Sequence, residues 1–431
     1  MTTADVDFNK PKTDSGSSES ADADGAAARE RAAHMAEIRR GLEGRSYIKR
    51  LQEFLGSLRR THEHHNRTLY YDDIVTLLLL GFYNHKVRSL RLLDLASQIP
   101  AVRKYTRVGR VSRSALSEGL QLFDPQSLMP LIRELSEALP AGPNVEPEFQ
   151  ELYQKLVAFD GSYFRVPAKV LWALRERTCA GVEGRQIRLN LHYCLRTGHP
   201  MGMSISGEGG LSEAQAVLKE AQPGLIYIGD RGVFSHAAVK GMVGAGADFV
   251  FRMQDAVGFT CEQERVLSDE DRNHRLISDR QGRLAGSNRH KPPEMVLREI
   301  RIVHADDPEQ TIRLLTNLLT VPASVIGEIY RERWRIEVFF RWLKVYANFE
   351  HMISHSERGM ETWFYVAFIA TLLMSLYTGY EPNTYTFAAM QMIMAGEARY
   401  EDVAAHLARI NREKMLARQR RAAQKTAKKN A

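Results

Sequence analysis

The spacing of hydrophobic residues divides the chain into a helical first third and a strand-rich middle. From about 31 to 150, segments such as "DDIVTLLLLGFYNH" and "RSLRLLDLASQI" repeat apolar residues at the three- and four-residue spacing of amphipathic helices. After a Pro- and Gly-rich stretch at 140–149, short apolar runs are bounded by turn residues, which is typical of strands. We therefore predict a helical domain over 31–150, followed by a sheet.

Five strands are predicted in the middle of the chain, and helices separate the later ones. This alternation predicts a mixed sheet with helices on its faces. A polar, turn-rich segment over 255–315 follows, and we predict it to be a β-rich insertion rather than a continuation of the sheet. The predicted strands are 155–166, 185–195, 200–208, 224–232 and 248–254, and the helices are 212–221 and 235–246.

The two ends of the chain have different compositions. Residues 1–30 are acidic and poor in apolar residues, so we expect a disordered tail. The apolar run 363–377 is fifteen residues long, shorter than the roughly 20 that span a bilayer, and indicates a buried helix in a C-terminal helical region over 361–408. Residues 409–431 carry nine basic residues and one acid, and we expect them to be disordered or helical only on a polyanion.

The overall charge narrows the classes of partner. A net charge of +7 and a pI near 9.2 favour a polyanion such as nucleic acid without requiring one. The three cysteines form no CxxC pair, which argues against a disulfide framework or a structural zinc site and fits the cytoplasm, or the nucleoid when DNA is bound. No phosphate-binding loop is visible, so no nucleotide cofactor is expected. No membrane is expected either, because the apolar run at 363–377 is too short to span one.

A basic run lies within the predicted helical domain. Between Lys86 and Arg113 there are eight Lys or Arg residues and one acid, Asp94. The run is either a solvated face, as most charge runs are, or a set of contacts to DNA phosphates. The candidate DNA contacts are Arg103, Lys104, Arg107 and Arg110.

Two aspartates stand at the ends of predicted apolar strands. "LVAFD" ends in Asp160, and "LIYIGD" ends in Asp230. Each alone is typical of a turn or a helix N-cap. If the first and fourth predicted strands are neighbours, however, the two carboxylates lie side by side and require a shared proton or a divalent cation.

The stretch "YRERWRIEVFFRWLK" at 330–344 predicts one amphipathic helix with an apolar stripe. On a helical wheel, Tyr330, Arg333, Glu337 and Lys344 fall within about 60° of one another, whereas Glu332 points away. A solvated face is the alternative, because Glu337 has arginines four residues to either side. Together with the two aspartates, Glu337 completes the carboxylate set of a two-metal phosphoryl-transfer site.

The spacing Tyr330-x₂-Arg333-x₃-Glu337-x₆-Lys344 is identical to the signature of the DDE transposases of insertion-sequence family four. "FDGSYFRV" around Asp160 and "IGDRGVFS" around Asp230 resemble that family's first and second aspartate motifs, and "DFVFRMQ" with Arg252 resembles its following strand. The resemblance implies a ribonuclease H-like catalytic core over 151–254 and 316–360, with the β-rich insertion between its parts.

The resemblance also implies a site and its partners. The metal ligands and catalytic residues would be Asp160, Asp230 and Glu337, holding two Mg²⁺ or Mn²⁺ ions. Tyr330, Arg333, Lys344 and Arg252 would contact DNA. The partners would be the terminal inverted repeats and target DNA, bound by a homodimer in the synaptic complex, with the apolar C-terminal helices as candidates for the dimer contact.

Two alternatives stay open. A nuclease of the same fold could cut DNA without strand transfer, and a transposase-derived protein could bind DNA without cutting it. The three intact carboxylates count against the second alternative.

Overall fold

A computed structural model describes residues 51–60, 69–84, 87, 89–106, 108–139, 147–177, 183–286, 294–304, 307, 309–346, 353–395 and 397–429. The predicted tail at 1–30 and the candidate DNA contact Arg107 lie outside the described residues.

The N-terminal part of the described chain is helical. Its helices bury apolar faces that include Leu77, Leu116 and Leu131, each with no exposed surface. Serine side chains define two of the helix starts, because Ser89 and Ser112 each accept a hydrogen bond from a backbone N–H in the first turn. The helices are α1 (51–60), α2 (Tyr71–Tyr83), α3 (Leu90–Gln98), α4 (Pro100–Thr106), α5 (Arg113–Leu122), α6 (Met129–Glu137) and α7 (Pro147–Gln154), with a 3₁₀ helix at Pro125–Leu128.

The middle of the chain forms one ten-stranded mixed sheet. Its order is β2-β3-β1-β5-β6-β10-β9-β8-β7, and β4 pairs with β3 beside β2. The pairs β1–β5 and β5–β6 are parallel, and the other neighbours are antiparallel. The strands are β1 (Leu156–Val166), β2 (Leu174–Arg177), β3 (Glu183–Cys194), β4 (His199–Ser206), β5 (Ile226–Gly229), β6 (Asp248–Arg252), β7 (Phe259–Arg265), β8 (Leu276–Leu284), β9 (Leu297–Val303) and β10 (Thr311–Thr316).

Helices cover both faces of the sheet. Alternate residues of β1 point to opposite faces, as strand geometry requires. Val157 and Phe159 pack in one core, and Ala158 and Phe164 pack in the other. The helices after β4 are α8 (Glu213–Lys219), α9 (His236–Gly244), α10 (Asp269–Asn273), α11 (Ala323–Glu332), α12 (Trp334–Tyr346), α13 (Glu357–Thr378), α14 (Thr384–Ala395) and α15 (Tyr400–Lys429).

The segment 255–315 is rich in strands, but the prediction that it does not continue the sheet is wrong. Strands β7, β8 and β9 extend the sheet through β10, which pairs with β6. The polar composition of the segment is compatible with a place in the sheet because its buried charged side chains form ion pairs with one another. Arg298 is 1 % exposed and its Nη2 lies 2.6 Å from Asp279 Oδ2, while the buried Glu299 contacts Arg280 and Arg313.

The predicted continuous helix over 330–344 is also wrong in one respect. Helix α11 ends at Glu332 and α12 begins at Trp334, with Arg333 between them. The N–H of Arg333 donates to the carbonyl of Tyr330, and the N–H of Ile336 donates to the carbonyl of Arg333. These three-residue turns tighten the backbone and re-aim the side chains on either side of Arg333.

The C-terminal helices pack on the rest of the chain. Among the described residues α13 alone is long and apolar enough to cross a membrane, but 94 % of its apolar window is buried inside the protein. It contacts α2, α5, α6 and β4, so this chain itself covers most of the apolar surface of α13. The predicted boundary at 408 falls inside α15, which is helical from Tyr400 to Lys429.

Candidate active site

Parallel pairing of β1 and β5 brings the two predicted aspartates to one edge of the sheet. In that register Phe159 lies opposite Gly229, the last residue of β5. Asp160 follows Phe159 within β1, and Asp230 follows Gly229 directly after β5. The two carboxylates therefore project from adjacent strands. Asp230 follows the end of β5 as predicted, whereas Asp160 lies inside β1, which continues to Val166, and not at a strand end.

Helix α12 adds Glu337 to this edge, and Arg333 joins it to Asp160. Arg333 Nη2 lies 2.6 Å from Glu337 Oε1, and Nη1 lies 3.8 Å from Asp160 Oδ2. The Arg333 side chain is only 12 % exposed. Burial lowers the pKa of Arg333, but the nearby Tyr330, Asp230 and Glu337 together raise it by more. The pKa of Arg333 is therefore raised above its ordinary value.

Asp230 has its own partners. The Tyr330 hydroxyl donates a 3.2 Å hydrogen bond to Asp230 Oδ1, and Arg252 Nη1 lies 3.7 Å from the same oxygen. Tyr330 is 8 % exposed, and burial together with Asp230 raises its pKa to about 12. Tyr330 and Arg252, both predicted to contact DNA, thus contact the second aspartate in this conformation.

Neither Lys344 nor Glu332 forms a hydrogen bond or an ion pair with Asp160, Asp230 or Glu337. Lys344 is exposed and its Nζ lies 5.4 Å from the centre of the Phe164 ring, on the strand that carries Asp160. Glu332 points elsewhere, as predicted, and accepts a 2.6 Å hydrogen bond from the Tyr153 hydroxyl. The two glutamates of "YRERWRIEVFFRWLK" therefore have different surroundings.

Asp160 is the carboxylate most affected by its surroundings. Its pKa is raised to about 6, chiefly by burial and to a smaller extent by Glu213 and Glu337, while Arg333 and a hydrogen bond from the N–H of Gly161 oppose the rise. A buried carboxylate with too little compensating positive charge behaves in this way. The site therefore has capacity for additional positive charge near Asp160.

A fourth carboxylate near the site, that of Glu213, the first residue of α8, was not predicted from the sequence. Its Oε1 lies 3.8 Å from Arg188 Nη1, and its side chain is 19 % exposed. The carboxylate packs against Gly161 and Gly232, where added Cβ atoms would crowd or overlap its oxygens. These glycines follow Asp160 and Asp230 closely in both motifs. The only sequence signal was the capping box of Ser212 and Gln215, which marks the helix start.

The donor set suits a hard divalent cation, although the carboxylates are not arranged as a preformed metal site. Carboxylate oxygens are the ligands that Mg²⁺ and Mn²⁺ prefer. Within the described residues, however, no group of three or more His, Cys, Asp or Glu side chains is placed to hold a metal ion. The reason is visible at Arg333, whose guanidinium contacts both Asp160 and Glu337.

The predicted DNA contacts in the helical domain are separate from the carboxylates. Arg103 and Lys104 lie in the last turn of α4, and Arg110 lies in the exposed segment before α5. In the part of the chain that the structure describes, none of the three forms an ion pair. Lys104 and Arg110 are exposed, whereas Arg103 is half-buried.

Comparisons with known proteins bear on this site. The chain is 30 % identical over 156 residues to "Putative transposase y4zB" of Sinorhizobium fredii, covering 36 % of this chain and 43 % of that protein. It is 36 % identical over 73 residues to "Probable transposase for insertion sequence element IS5377" of Geobacillus stearothermophilus, covering 17 % and 19 %. The chain thus spans less than half the length of these relatives.

A solved structure and a family model also match. A cryo-EM structure of the piggyBac transposase synaptic complex with hairpin DNA aligns with 79 % of this chain and 76 % of its own, with 10 % identity and a TM-score of 0.37. That likeness is too low to support an argument. The model of the transposase DDE domain matches residues 154–373, which is just over half of the chain and contains all three predicted catalytic carboxylates. The chain therefore belongs to the transposase DDE domain family.

Proposed function

We propose that this protein is a DNA transposase that cleaves DNA at the ends of an insertion sequence and joins the freed 3′ hydroxyls to target DNA. The observation that carries the proposal is the convergence of Asp160, Asp230 and Glu337 around Arg333, from positions far apart in the chain. Membership of the transposase DDE domain family supports it.

Each side chain has a proposed role. Asp160, Asp230 and Glu337 would hold two Mg²⁺ or Mn²⁺ ions, which would stabilise the attacking and leaving oxygens of phosphoryl transfer. Tyr330 and Arg252 would orient Asp230 through their present contacts. Lys344, exposed beside the strand of Asp160, would bind a DNA phosphate as a point charge.

Arg333 would have two alternative partners. In the present conformation its guanidinium contacts Asp160 and Glu337. When metal ions neutralise those carboxylates, Arg333 would be available to bind a DNA phosphate in its bidentate fork. Arg333 would thus form the observed ion pairs in one state and the DNA contact expected from the sequence in the other.

We further propose that the core is ribonuclease H-like and that the protein belongs to insertion-sequence family four. The antiparallel run β4-β3-β1, followed by β5 and β6 parallel to β1, supports the first statement. The spacing of Tyr330, Arg333, Glu337 and Lys344 supports the second. The proposed partners are duplex DNA and a second copy of the chain in the synaptic complex.

The test is an end-cleavage and joining assay. The substrate is a labelled duplex carrying the inverted repeat that flanks the gene, with a supercoiled plasmid as target and Mg²⁺ or Mn²⁺ present. Glu337→Gln is compared with Glu332→Gln, a matched control in the same stretch of sequence whose side chain contacts Tyr153 instead. We expect cleaved and joined products from the wild type and Glu332→Gln, and a loss of at least about 100-fold for Glu337→Gln.

The outcomes separate the alternatives. Cleaved ends without joined product would replace the transposase proposal with a nuclease. DNA binding without cleavage would favour a DNA-binding protein derived from a transposase. Equal activity of the Glu332 and Glu337 variants would remove Glu337 from the catalytic set.

A further inference from the structure

A cavity of about 970 Å³ lies where three parts of the chain meet. The starts of α3 and α5 form one wall, the turn after β1 forms another, and residues just before α13 form the third. This volume is far larger than one phosphate ion fills. Its lining includes Ser89, Arg91, Arg113, Glu118, Lys169 and His355.

The cavity carries unneutralised positive charge. Arg91, Arg113 and Lys169 are exposed along its lining, and none of them forms an ion pair with another described residue. Glu118 is the acidic residue of the lining. Burial and the nearby Lys169 ammonium lower the pKa of His355, so His355 adds no charge near neutral pH. Three cations against one carboxylate leave the lining positive.

Helix starts add potential of the same sign. The N-terminal ends of α3, α5 and α13 all lie at the cavity, and the helices contain 9, 10 and 22 residues. The first N–H groups of a helix carry partial positive charge. Ser89 and Ser356 use their hydroxyls to cap two of these helices, so the helix ends supply a positive potential rather than free hydroxyl donors.

The cavity is connected to the carboxylate site along β1. Asp160 and Val166 are six residues apart in this strand, which corresponds to about 20 Å at the usual rise. Lys169 follows three residues later, and Lys344 lies between the two places, over the Phe164 ring. Because base pairs of B-DNA are spaced by about 3.4 Å, a duplex end at the carboxylates would reach the cavity after about six to eight base pairs.

We propose that this cavity binds the backbone phosphates of the end duplex, about six to eight base pairs from the cleavage position, through Arg91, Arg113 and Lys169. The inference rests on the proposed function, because it takes DNA as the substrate. The contacts are to phosphate and carry no sequence information, so they position the DNA end between the helical domain and the carboxylates.

The test measures how the dissociation constant of the full-length protein for the end duplex depends on salt. The variant is Arg91→Ala/Arg113→Ala/Lys169→Ala, and the matched control is Lys219→Ala/Lys240→Ala/Arg272→Ala, which removes exposed cations from α8, α9 and α10. Each lost phosphate contact lowers the slope of log K against log salt by about 0.9, so we expect the cavity variant to lose about 3 and the control to lose none.

A second measurement locates the protein–phosphate contact on the DNA, and two controls separate loss of this contact from misfolding. Ethylation of phosphates about six to eight base pairs from the cleaved end should interfere with binding by the wild type but not by the variant. The single variant Arg113→Lys keeps the positive charge and leaves Arg91 and Lys169 unchanged, so it should have the wild-type salt slope. Melting temperatures of all variants establish that they are folded.

The outcomes distinguish this inference from the proposed function. A wild-type salt slope in the cavity variant, with unchanged ethylation interference, overturns the cavity as a DNA site even if cleavage and joining occur. A reduced slope with a wild type that binds but does not cut supports the cavity while overturning the transposase proposal. A wild type that binds no duplex DNA overturns both.

Discussion

Arg333, at the break between α11 and α12, pairs at 2.6 Å with Glu337, which lies one helical turn further on in α12. The same guanidinium lies 3.8 Å from Asp160. One mostly buried cation therefore partly neutralises two of the three carboxylates that we expect to bind metal. A divalent cation at these carboxylates would take over that electrostatic role.

This relationship predicts how Arg333→Gln responds to metal. Without divalent ions, the variant lacks the positive charge that lies beside the Asp160 and Glu337 carboxylates. We therefore expect the free energy of unfolding to fall by about 1–3 kcal/mol. Saturating Mn²⁺ should recover most of this loss, so the rise in melting temperature on adding Mn²⁺ is larger for the variant than for the wild type. Arg331→Gln, which removes an exposed arginine paired with Glu328, is the control. An equal rise in both proteins would contradict the prediction.

Tyr330→Phe separates two roles of this hydroxyl. Removing its hydrogen bond to Asp230 should lower the free energy of unfolding by about 1 kcal/mol and reduce end cleavage. If Tyr330 acts through Asp230, the dissociation constant for DNA stays unchanged, and only cleavage falls. A loss of DNA affinity equal to the loss of cleavage would instead place the hydroxyl on a phosphate. Tyr163→Phe, an exposed tyrosine on β1, controls for general effects.

Gly232→Ala tests the position of Glu213. The new Cβ would overlap with Glu213 Oε2, which can move because it is the end of a flexible side chain. We expect a loss of stability below about 1 kcal/mol, together with a fall in cleavage as the displaced carboxylate disturbs Asp160. Shortening the side chain in the double variant Gly232→Ala/Glu213→Ser removes the overlap.

The single variant Glu213→Ser is the reference for the cleavage rate of the double variant. If the overlap causes the defect, the double variant has the same cleavage rate as Glu213→Ser. A further fall in the double variant would show that Gly232 is needed for another reason.

His199 predicts a pH dependence of stability. It is 4 % exposed between the Thr197 carbonyl and the Ser375 hydroxyl, and burial lowers its pKa to about 4. The unfolded chain, with an ordinary histidine pKa, binds more protons between about pH 4 and 6.5. Neutral, buried His199 therefore stabilises the folded protein above about pH 6.5. As the pH falls towards about 4, the free energy of unfolding decreases by about 3 kcal/mol at most.

The measurement is urea denaturation across that pH range. His199→Gln should flatten the wild-type curve by up to about 3 kcal/mol. Buried His192, whose pKa is also lowered to about 4, supplies a second contribution that remains in the variant. His406→Gln, on the exposed side of α15, should leave the curve unchanged. A wild-type slope in His199→Gln would show that His199 does not contribute.

The buried pair Arg298–Asp279 predicts a stability effect outside the carboxylate site. Arg298→Ala leaves the Asp279 carboxylate buried without its cation, and we expect a loss of about 3–5 kcal/mol. Arg283→Ala, which breaks the half-exposed pair with Glu262, should cost at most about 1 kcal/mol. Chemical denaturation measures both. Similar losses would mean that β8 and β9 are not held together by the buried pair.

Much of the fold could be predicted because periodicity is a local property. Strand predictions at 155–166 and 185–195 differ from β1 and β3 by at most two residues at either end. The segment 255–315 was harder, since paired buried charges such as Arg298 and Asp279 have the composition of a surface loop. Which charges are paired depends on strands brought together in the sheet, and this is not visible in the spacing along one strand.

The chemical groups of the site and their order along the chain can be read from the sequence: two aspartates after apolar runs, and a glutamate spaced from Tyr330, Arg333 and Lys344. Their partners, in contrast, depend on the tertiary structure. It directs Tyr330 to Asp230, places Arg333 between Asp160 and Glu337, and brings Glu213 against both aspartate motifs. The physical reason is that periodicity and capping act over a few residues. The neighbours of a charge, in contrast, depend on how different helices and strands, from about twenty to more than a hundred residues apart, pack together.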